Sequence, residues 1–156
     1  MQISNKFTIA IHALAFIHLF QDQQRVTSKV LANSIQANPV IIRSVLSGLK
    51  EAGIVDAKQG SGGFRLAKTL DDISLYDIFV TVDNIDKKGL FNFHENPHPD
   101  CIVGGNIHAA VDDKLVQVQT AMEKELKTMY MSDVLVDLEK AIEEKSEKDL
   151  NCHFSQ

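Results

Sequence analysis

The chain has 156 residues and a formal net charge of -5, with 44% apolar and 24% charged residues. These values are typical of an ordinary soluble protein, built as one cored domain or as a small domain with an oligomerising element. Its most apolar stretch, residues 9–20, contains two histidines and is too short to span a membrane. The initiator methionine leads directly into a helical pattern, so we expect no signal peptide. Two distant cysteines predict a reduced, cytoplasmic protein.

The two parts of the chain carry opposite charge. The first 70 residues hold eight Lys and Arg against three Asp and Glu, whereas the remainder holds eight against eighteen. Every arginine lies in the first part. A basic segment within an acidic protein is expected where one face meets a polyanion, and DNA is the common case.

A largely buried first helix is predicted over residues 4–20. Its inward positions follow helical spacing and are Phe7, Ile11, Leu14, Ala15 and His18. Ser4 precedes the apolar run and is the predicted N-cap.

Two short helices separated by a tight polar turn at residues 36–38 follow. Thr27 or Ser28 caps the first, and Asn38 with Pro39 begins the second. Both helices carry an inward apolar stripe, formed by Val30, Leu31, Ile35, Ile42, Val45, Leu46 and Leu49. The outer face of the second helix is small and polar around one arginine, and carries Val40, Arg43, Ser44, Ser47 and Lys50. This pattern predicts a helix-turn-helix unit, whose second helix enters the DNA major groove by its N-terminal end.

A glycine-rich hairpin comes next. Strand-like runs at 54–57 and 64–67 flank the tip Lys58-Gln-Gly-Ser-Gly-Gly63, and Arg65 and Lys68 add charge at its base. Glycines allow the backbone to approach a phosphate closely, so the hairpin is predicted to be a DNA-binding wing. A Walker-type phosphate loop is disfavoured, because no Gly-Lys-Ser/Thr closes the segment.

The acidic part contains a long amphipathic pattern. Its apolar residues recur at steps of three and four, at Val111, Leu115, Val118, Met122, Leu126 and Met129. We therefore predict one helix from Asn106 to Met131. A helix of this length extends beyond a winged domain and is expected to form a homodimer. The predicted interface residues are Val111, Leu115, Val118, Met122 and Leu126. Packing of the helix on its own domain is the alternative.

Several segments also carry a family resemblance: Ser4-Asn-Lys-Phe7, Ala10-Ile-His-Ala-Leu14, Thr27-Ser28, Asn38-Pro39 and Gly60-Ser-Gly-Gly-Phe-Arg-Leu-Ala67. They resemble the Rrf2 family of bacterial winged-helix regulators, the IscR, NsrR and CymR type. The likeness covers nearly the whole chain and includes a fourth helix at 73–82. It implies a cytoplasmic, homodimeric transcriptional regulator, usually a repressor, which grips double-stranded operator DNA with its first helix, recognition helix and wing.

The motifs and the resemblance together predict the organisation of the chain. We expect a mainly α-helical protein with a small β-wing: a winged helix-turn-helix domain at 1–84, a sensor loop at 85–105, a dimerisation helix region at 106–142 and a charged, mobile tail at 143–156. The predicted DNA contacts are Ser4, Lys6, Thr27, Ser28, Asn38, Pro39, Val40, Arg43, Ser44, Lys58, Gly60, Ser61, Gly62, Gly63 and Arg65.

The loop at 85–105 departs from the pattern of the cluster-binding members of this family. Those members use three closely spaced cysteines, whereas this loop has only Cys101. One thiolate cannot hold an iron–sulfur cluster that usually takes four ligands, so no cofactor is expected. His94, His98, Cys101 and His108 can each bind a metal, but their spacing matches no standard zinc pattern, and a metal site is the less favoured alternative.

A thiol switch is the predicted role of Cys101. It lies just before the long helix, where the helix dipole and free backbone amides stabilise a thiolate, and His98 or His108 could assist. Cys152 is the predicted resolving partner. The alternative is a reduced cysteine that only packs at the dimer seam.

Two other classes of function remain to be compared. A winged-helix adaptor that binds proteins without DNA is one alternative, although it has no reason to place Arg43 and Arg65 on the recognition helix and wing. An enzyme is not expected, because the chain shows no nucleophile with a neighbouring base, no paired catalytic carboxylates and no cofactor loop.

Overall fold

The computed structural model describes residues 3–60, 62–83 and 89–146. Its helices and strands, in chain order, are α1 Lys6–Phe20, α2 Ser28–Ile35, α3 Pro39–Glu51, β1 Val55–Lys58, β2 Gly63–Leu66, α4 Leu75–Val82, α5 Ile107–Leu126 and α6 Met131–Ser146. A 3₁₀ turn, Leu70–Asp72, precedes α4. The predicted mainly helical fold with a small β-wing is confirmed. No helix in the described ranges is long and apolar enough to cross a membrane.

Helix α1 lies at the centre of the core. It contacts α2, α3, α4, α6 and β2, and apolar side chains from Ile9 to Ile17 are buried around it. A helix that is apolar on several sides is expected in such a position. Two details of the prediction are wrong. Asn5 rather than Ser4 occupies the N-cap position, although its side chain makes no capping hydrogen bond, and His18 is exposed because Ile17 fills the inward position beside it.

Both helices of the helix-turn-helix unit begin at predicted residues. The Thr27 hydroxyl accepts a hydrogen bond from the Val30 amide at 3.2 Å, and the Asn38 carboxamide oxygen accepts one from the Val40 amide at 2.9 Å. These bonds satisfy backbone amides that the first turn of each helix leaves free. Gln36 ends α2 with a φ of 57°, in the left-handed region. The predicted stripe of α3 is 0–2% exposed.

The wing is an antiparallel pair docked on the chain just before α2. Its register pairs Val55 with Leu66 and Lys58 with Gly63. The bounds of each strand differ by one residue from the predicted strand-like runs. The Phe64 amide donates to the Val26 carbonyl at 2.8 Å, which fastens β2 beside the start of α2. The wing and the helix-turn-helix unit are therefore held together by backbone hydrogen bonds.

The long helix is shorter than predicted. Helix α5 ends at Leu126, and the chain turns back into α6 instead of continuing to Met131. The Leu75 amide donates to the Met129 carbonyl at 2.8 Å, and the Met131 amide donates to the Ile73 carbonyl at 2.9 Å. These bonds hold the turn against α4 and bury Met131 completely.

Helix α6 packs on the winged domain and does not extend the predicted dimerisation helix. Met131 and Leu135 belong to the same core cluster as α1 and α3. Residues 143–146, predicted to be part of a mobile tail, are the last residues of α6. The rest of that tail, 147–156, with the predicted resolving residue Cys152, lies outside the described residues.

Helix α5 is the most exposed helix of the fold. None of its side chains is buried, and Val116 and Val118 are 54% and 55% exposed. Residues 89–94 lie against one side of it: the Leu90 amide donates to the Gln119 side-chain oxygen at 2.9 Å, and the His94 and His108 rings stack at 5.2 Å. The loop thus contacts α5 through Gln119 and His108, while Val118 of the predicted stripe stays in solvent.

Candidate nucleic-acid interface

The outer face of α3 is open to solvent along its length. Val40, Arg43, Ser44, Ser47 and Lys50 are all exposed, and Val40 is 63% exposed. The opposite face is locked into the core, so the helix is a rigid support for these side chains. A small, polar surface around one arginine fits the width and the hydrogen-bonding groups of a DNA major groove.

Two predicted contacts, Thr27 and Asn38, use their side-chain oxygens within the fold as helix caps. Pro39 follows Asn38 at the first position of α3, where its missing N–H costs nothing. These residues therefore fix where α2 and α3 begin. Helix N-termini carry a partial positive charge that favours phosphate groups.

The glycines of the wing differ in what surrounds them. Gly60 has a φ of 83° and open space where a Cβ would lie, so it forms a free tip. A Cβ at Gly63 would lie 2.6 Å from the Val26 carbonyl oxygen, and one at Gly62 would lie 2.3 Å from the Cβ of Lys58. Gly62 therefore allows close packing inside the wing, and Gly63 allows the wing to pack against the segment before α2. Ser61 lies outside the described residues.

Arg65 is tied to the carboxyl end of α1. Its guanidinium donates to the Gln21 carbonyl oxygen at 2.7 Å and forms an ion pair with Asp22. The Gln21 side-chain oxygen in turn accepts a hydrogen bond from the Leu66 amide at 3.0 Å. The side chain of Arg65, a predicted DNA contact, is thus engaged within the fold, where these bonds hold the wing in place, whereas Lys58 remains exposed near the tip.

Arg25 is a candidate contact that the sequence analysis missed. It is exposed, and its Cγ lies 3.1 Å from the position that a Cβ on Gly63 would take, at the start of β2. Lys29, one turn into α2, is also exposed. The available signal was an arginine two residues before the Thr27 cap.

The N-terminal end of α1 is less free than expected. Ser4 is partly buried; its hydroxyl accepts a hydrogen bond from the Lys6 amide at 3.2 Å, and its own amide donates to Asp83 at 3.3 Å. Lys6 is partly buried as well. Ser4 therefore orders the start of α1 through internal hydrogen bonds.

Cys101 lies exposed in the turn before α5. Hydrogen bonds from the backbone amides of Gly104 and Val103 lower the pKa of its thiol. His98 and His108 have other partners, because the Nδ1 of His98 accepts from the Asp100 amide and the ring of His108 pairs with Asp112 at 3.0 Å. The turn itself, rather than a histidine or the helix end, favours the thiolate.

Known proteins match the chain over most of its length. A family model described as Rrf2, iron-dependent transcriptional regulator, matches residues 3–137. YwnA of Bacillus subtilis (strain 168), named as an HTH-type transcriptional regulator, is 37% identical over 133 residues, covering 85% of this chain and 96% of YwnA. A crystal structure described as a DNA binding protein matches at 32% identity with a TM-score of 0.66, covering 83% of this chain and 98% of that one.

A transcriptional regulator from Lactobacillus plantarum shares the fold, with a TM-score of 0.73 at 23% identity over 93% of this chain and 99% of that one. The matched family and the named relative are transcriptional regulators, not enzymes.

The iron in the family description can be tested against the donor groups of this chain. In residues 89–146, Cys101 is the one thiol, and no group of three or more His, Cys, Asp or Glu within the described ranges could hold a metal ion. These donors do not fit an iron centre or an iron–sulfur cluster.

Proposed function

Since the chain belongs to the Rrf2 family of transcriptional regulators, we propose that it acts as a homodimer that binds a dyad-symmetric DNA operator and represses transcription. The observation that carries this proposal is the free outer face of α3, held rigidly beside a docked wing in the basic part of the chain. DNA is the partner expected for such a surface.

Base recognition is assigned to the first turns of α3. Arg43 is long enough to donate two hydrogen bonds to the O6 and N7 of guanine, and the exposed Val40 offers methyl groups to a thymine methyl. Ser44 completes this surface as a small group able to donate or accept. Together these three side chains define a short stretch of sequence in each half-site.

Phosphate contacts are assigned to the residues around α3. Lys58 lies near the wing tip, and Arg25 lies beside Gly63, the residue that pairs with Lys58. The N-terminus of α2, where Ser28 follows the Thr27 cap, adds backbone amides and a hydroxyl. These groups set the orientation on the duplex without reading its sequence.

The dimer is assigned to α5. Its stripe of Val111, Leu115, Val118, Met122 and Leu126 contains no buried side chain in the single chain. The preceding turn adds Ile102 and Val103, which are 85% and 63% exposed. A second copy of α5 would remove this apolar surface from water and would place two recognition helices on one face of the DNA.

Footprinting on the DNA upstream of the protein's own coding region tests the proposal. We expect two protected half-sites related by a dyad and separated by about one helical turn, or roughly 10 base pairs. Random DNA of equal length is the control. Equal affinity for both, or none for either, would favour the protein-binding adaptor instead.

Cys101 is proposed as a redox switch for this DNA binding. A peroxide would oxidise the exposed thiolate to a sulfenic acid and leave as water, and the sulfenic acid would then condense with Cys152 or with the partner's Cys101, releasing a second water to give a disulfide. The lowered pKa of Cys101 supports the first step, because it increases the thiolate fraction near neutral pH.

Operator affinity before and after mild peroxide treatment tests the switch. Wild type should change its affinity and recover it with reductant, whereas Cys101→Ser should not respond. If both proteins respond equally, or neither responds, Cys101 has only a packing role.

A further inference from the structure

A groove runs between α1 and the C-terminal half of α6, separate from the outer face of α3. Its volume is about 630 Å³, and Ser34 of α2 lies at one side. Aliphatic and aromatic side chains form most of its surface, among them Ala15, Phe16 and Leu138. Sites for small molecules are apolar clefts of roughly 300–1,000 Å³ with a few well-placed polar groups. The groove has this size and composition.

Two of the polar side chains that line the groove form a hydrogen-bonded pair. The Nε2 of His12 and the hydroxyl of Ser34 lie 3.0 Å apart. Partial burial lowers the pKa of His12, so its ring is uncharged at neutral pH. A neutral imidazole and a hydroxyl can each donate or accept a hydrogen bond. A ligand with a hydroxyl or a carbonyl group could bind to this pair.

The charge of the groove narrows the class of ligand. Among the described residues that line it, Lys145 carries the one permanent charge, and no carboxylate lines it. Lys145 is exposed, and it lies in the last turn of α6, where the helix dipole disfavours an anion. The interior therefore offers a charged ligand no partner that would compensate for its loss of water.

The aromatic wall of the groove favours a flat ligand. Phe16 and Phe20 pack with ring centroids 4.6 Å apart, and both line the groove. Aromatic rings bind other rings by offset or edge contacts in addition to burying area. A fused or substituted ring would fit between α1 and α6 better than a flexible polar molecule.

We propose that this groove binds an uncharged aromatic compound, whose single hydroxyl or carbonyl group hydrogen-bonds with the His12–Ser34 pair. Ser34 belongs to the first helix of the helix-turn-helix unit, and Leu138 and Ile142 belong to α6. A bound ring would therefore connect these two elements. The idea that this ligand regulates DNA binding rests on the proposed function. Binding of the ligand to the groove is measured without DNA.

The first test compares two fluorescent probes on the full-length protein, 2-naphthol and naphthalene, which differ only in the hydroxyl group. Ser34→Ala should weaken the binding of 2-naphthol about three- to tenfold, the usual range for one hydrogen bond, and leave naphthalene unchanged. An equal change for both probes, or no binding of 2-naphthol to the wild type, overturns the proposal.

The second test places a charge at the groove with a matched control on the same helix. Ile142 is 47% exposed and lines the groove, whereas Val136 is 64% exposed and does not line it. Ile142→Arg should lower the affinity for 2-naphthol at least about tenfold, and Val136→Arg should leave it unchanged. Equal effects of the two changes contradict the assignment.

Sedimentation of the same variants without probe separates a ligand groove from a contact between copies of the chain. The proposal predicts that Ile142→Arg keeps the oligomeric state of the wild type. A change in that state would assign the groove to a second copy and overturn the proposal. The probe affinities are measured without DNA, so they would be the same if the protein bound no operator. Failure of the proposed function is therefore distinguishable from failure of this site.

Discussion

The winged domain and helix α5 differ in how they are stabilised. The winged domain packs α1, α3 and α6 around a common core in which Leu14, Leu49 and Met131 are fully buried. Helix α5 is longer than α1 but buries none of its side chains. Buried apolar area is the main favourable contribution to folding, so the core stabilises the winged domain, whereas α5 is the surface that we propose for the dimer.

Position along the chain does not separate these two regions. Helix α6 belongs to the acidic part by sequence, yet Met131 and Leu135 pack in the core of the basic part. The charge boundary and the structural boundary therefore differ. DNA-facing charge is a property of the surface, whereas membership of the core is set by apolar contacts.

The largest effect is expected inside the wing. Gly63→Val would force a side chain to within 2.6 Å of the Val26 carbonyl oxygen at a φ of 64°. We expect the free energy of unfolding to fall by about 2–4 kcal/mol, because the hydrogen bond from the Phe64 amide to the Val26 carbonyl must break. Gly60→Val, at a free tip, should cost only about 1–2 kcal/mol for its positive φ. Urea unfolding measures both, and equal losses would mean that the wing is not docked.

The second prediction concerns the unpartnered helix. Leu115→Glu would bury a charge in the proposed α5 interface, so the dimer should dissociate at a cost of several kcal/mol, roughly 3 or more. Lys114→Glu, on the solvent side of the same turn, is the control. Sedimentation should give monomers for the first variant and wild-type dimers for the second. An unchanged dimer in both would place the interface elsewhere.

A third prediction, of smaller effect, separates a residue that positions the wing, Arg65, from a residue proposed to contact DNA phosphate, Lys58. Arg65→Ala removes the bonds to Gln21 and Asp22, and we expect a stability loss of about 1 kcal/mol with weaker operator binding but an unchanged salt slope. Lys58→Ala should keep the stability and make the salt slope shallower by roughly one unit.

Arg65→Lys tests the geometry of the Arg65 contacts. A lysine cannot donate hydrogen bonds to the Gln21 and Asp22 oxygens through one planar group. It should therefore restore stability and operator binding only in part. If Arg65→Ala changes the salt slope as Lys58→Ala does, Arg65 contacts a phosphate.

The features that the sequence predicted well are local. Thr27 and Asn38 signal helix starts through hydrogen bonds to residues three and two positions away, and Pro39 fits the first position of α3, so the starts of both helices follow from the pattern. The end of α5 could not be predicted, because the stripe continues to Met129 and the turn is held by Ile73 and Leu75. The role of Arg65 also depends on a distant partner, since Asp22 lies 43 positions earlier.

The most direct test of the account measures the affinity of Arg43→Ala for its footprinted operator and for random DNA of equal length. Because Arg43 projects from the exposed face of a rigid α3, we predict that specific binding loses about 1–3 kcal/mol, while random-sequence binding changes far less. Lys50→Ala, at the far end of the same face, is the matched control. Equal losses on both DNAs would contradict base reading by α3 and leave Arg43 as a phosphate contact.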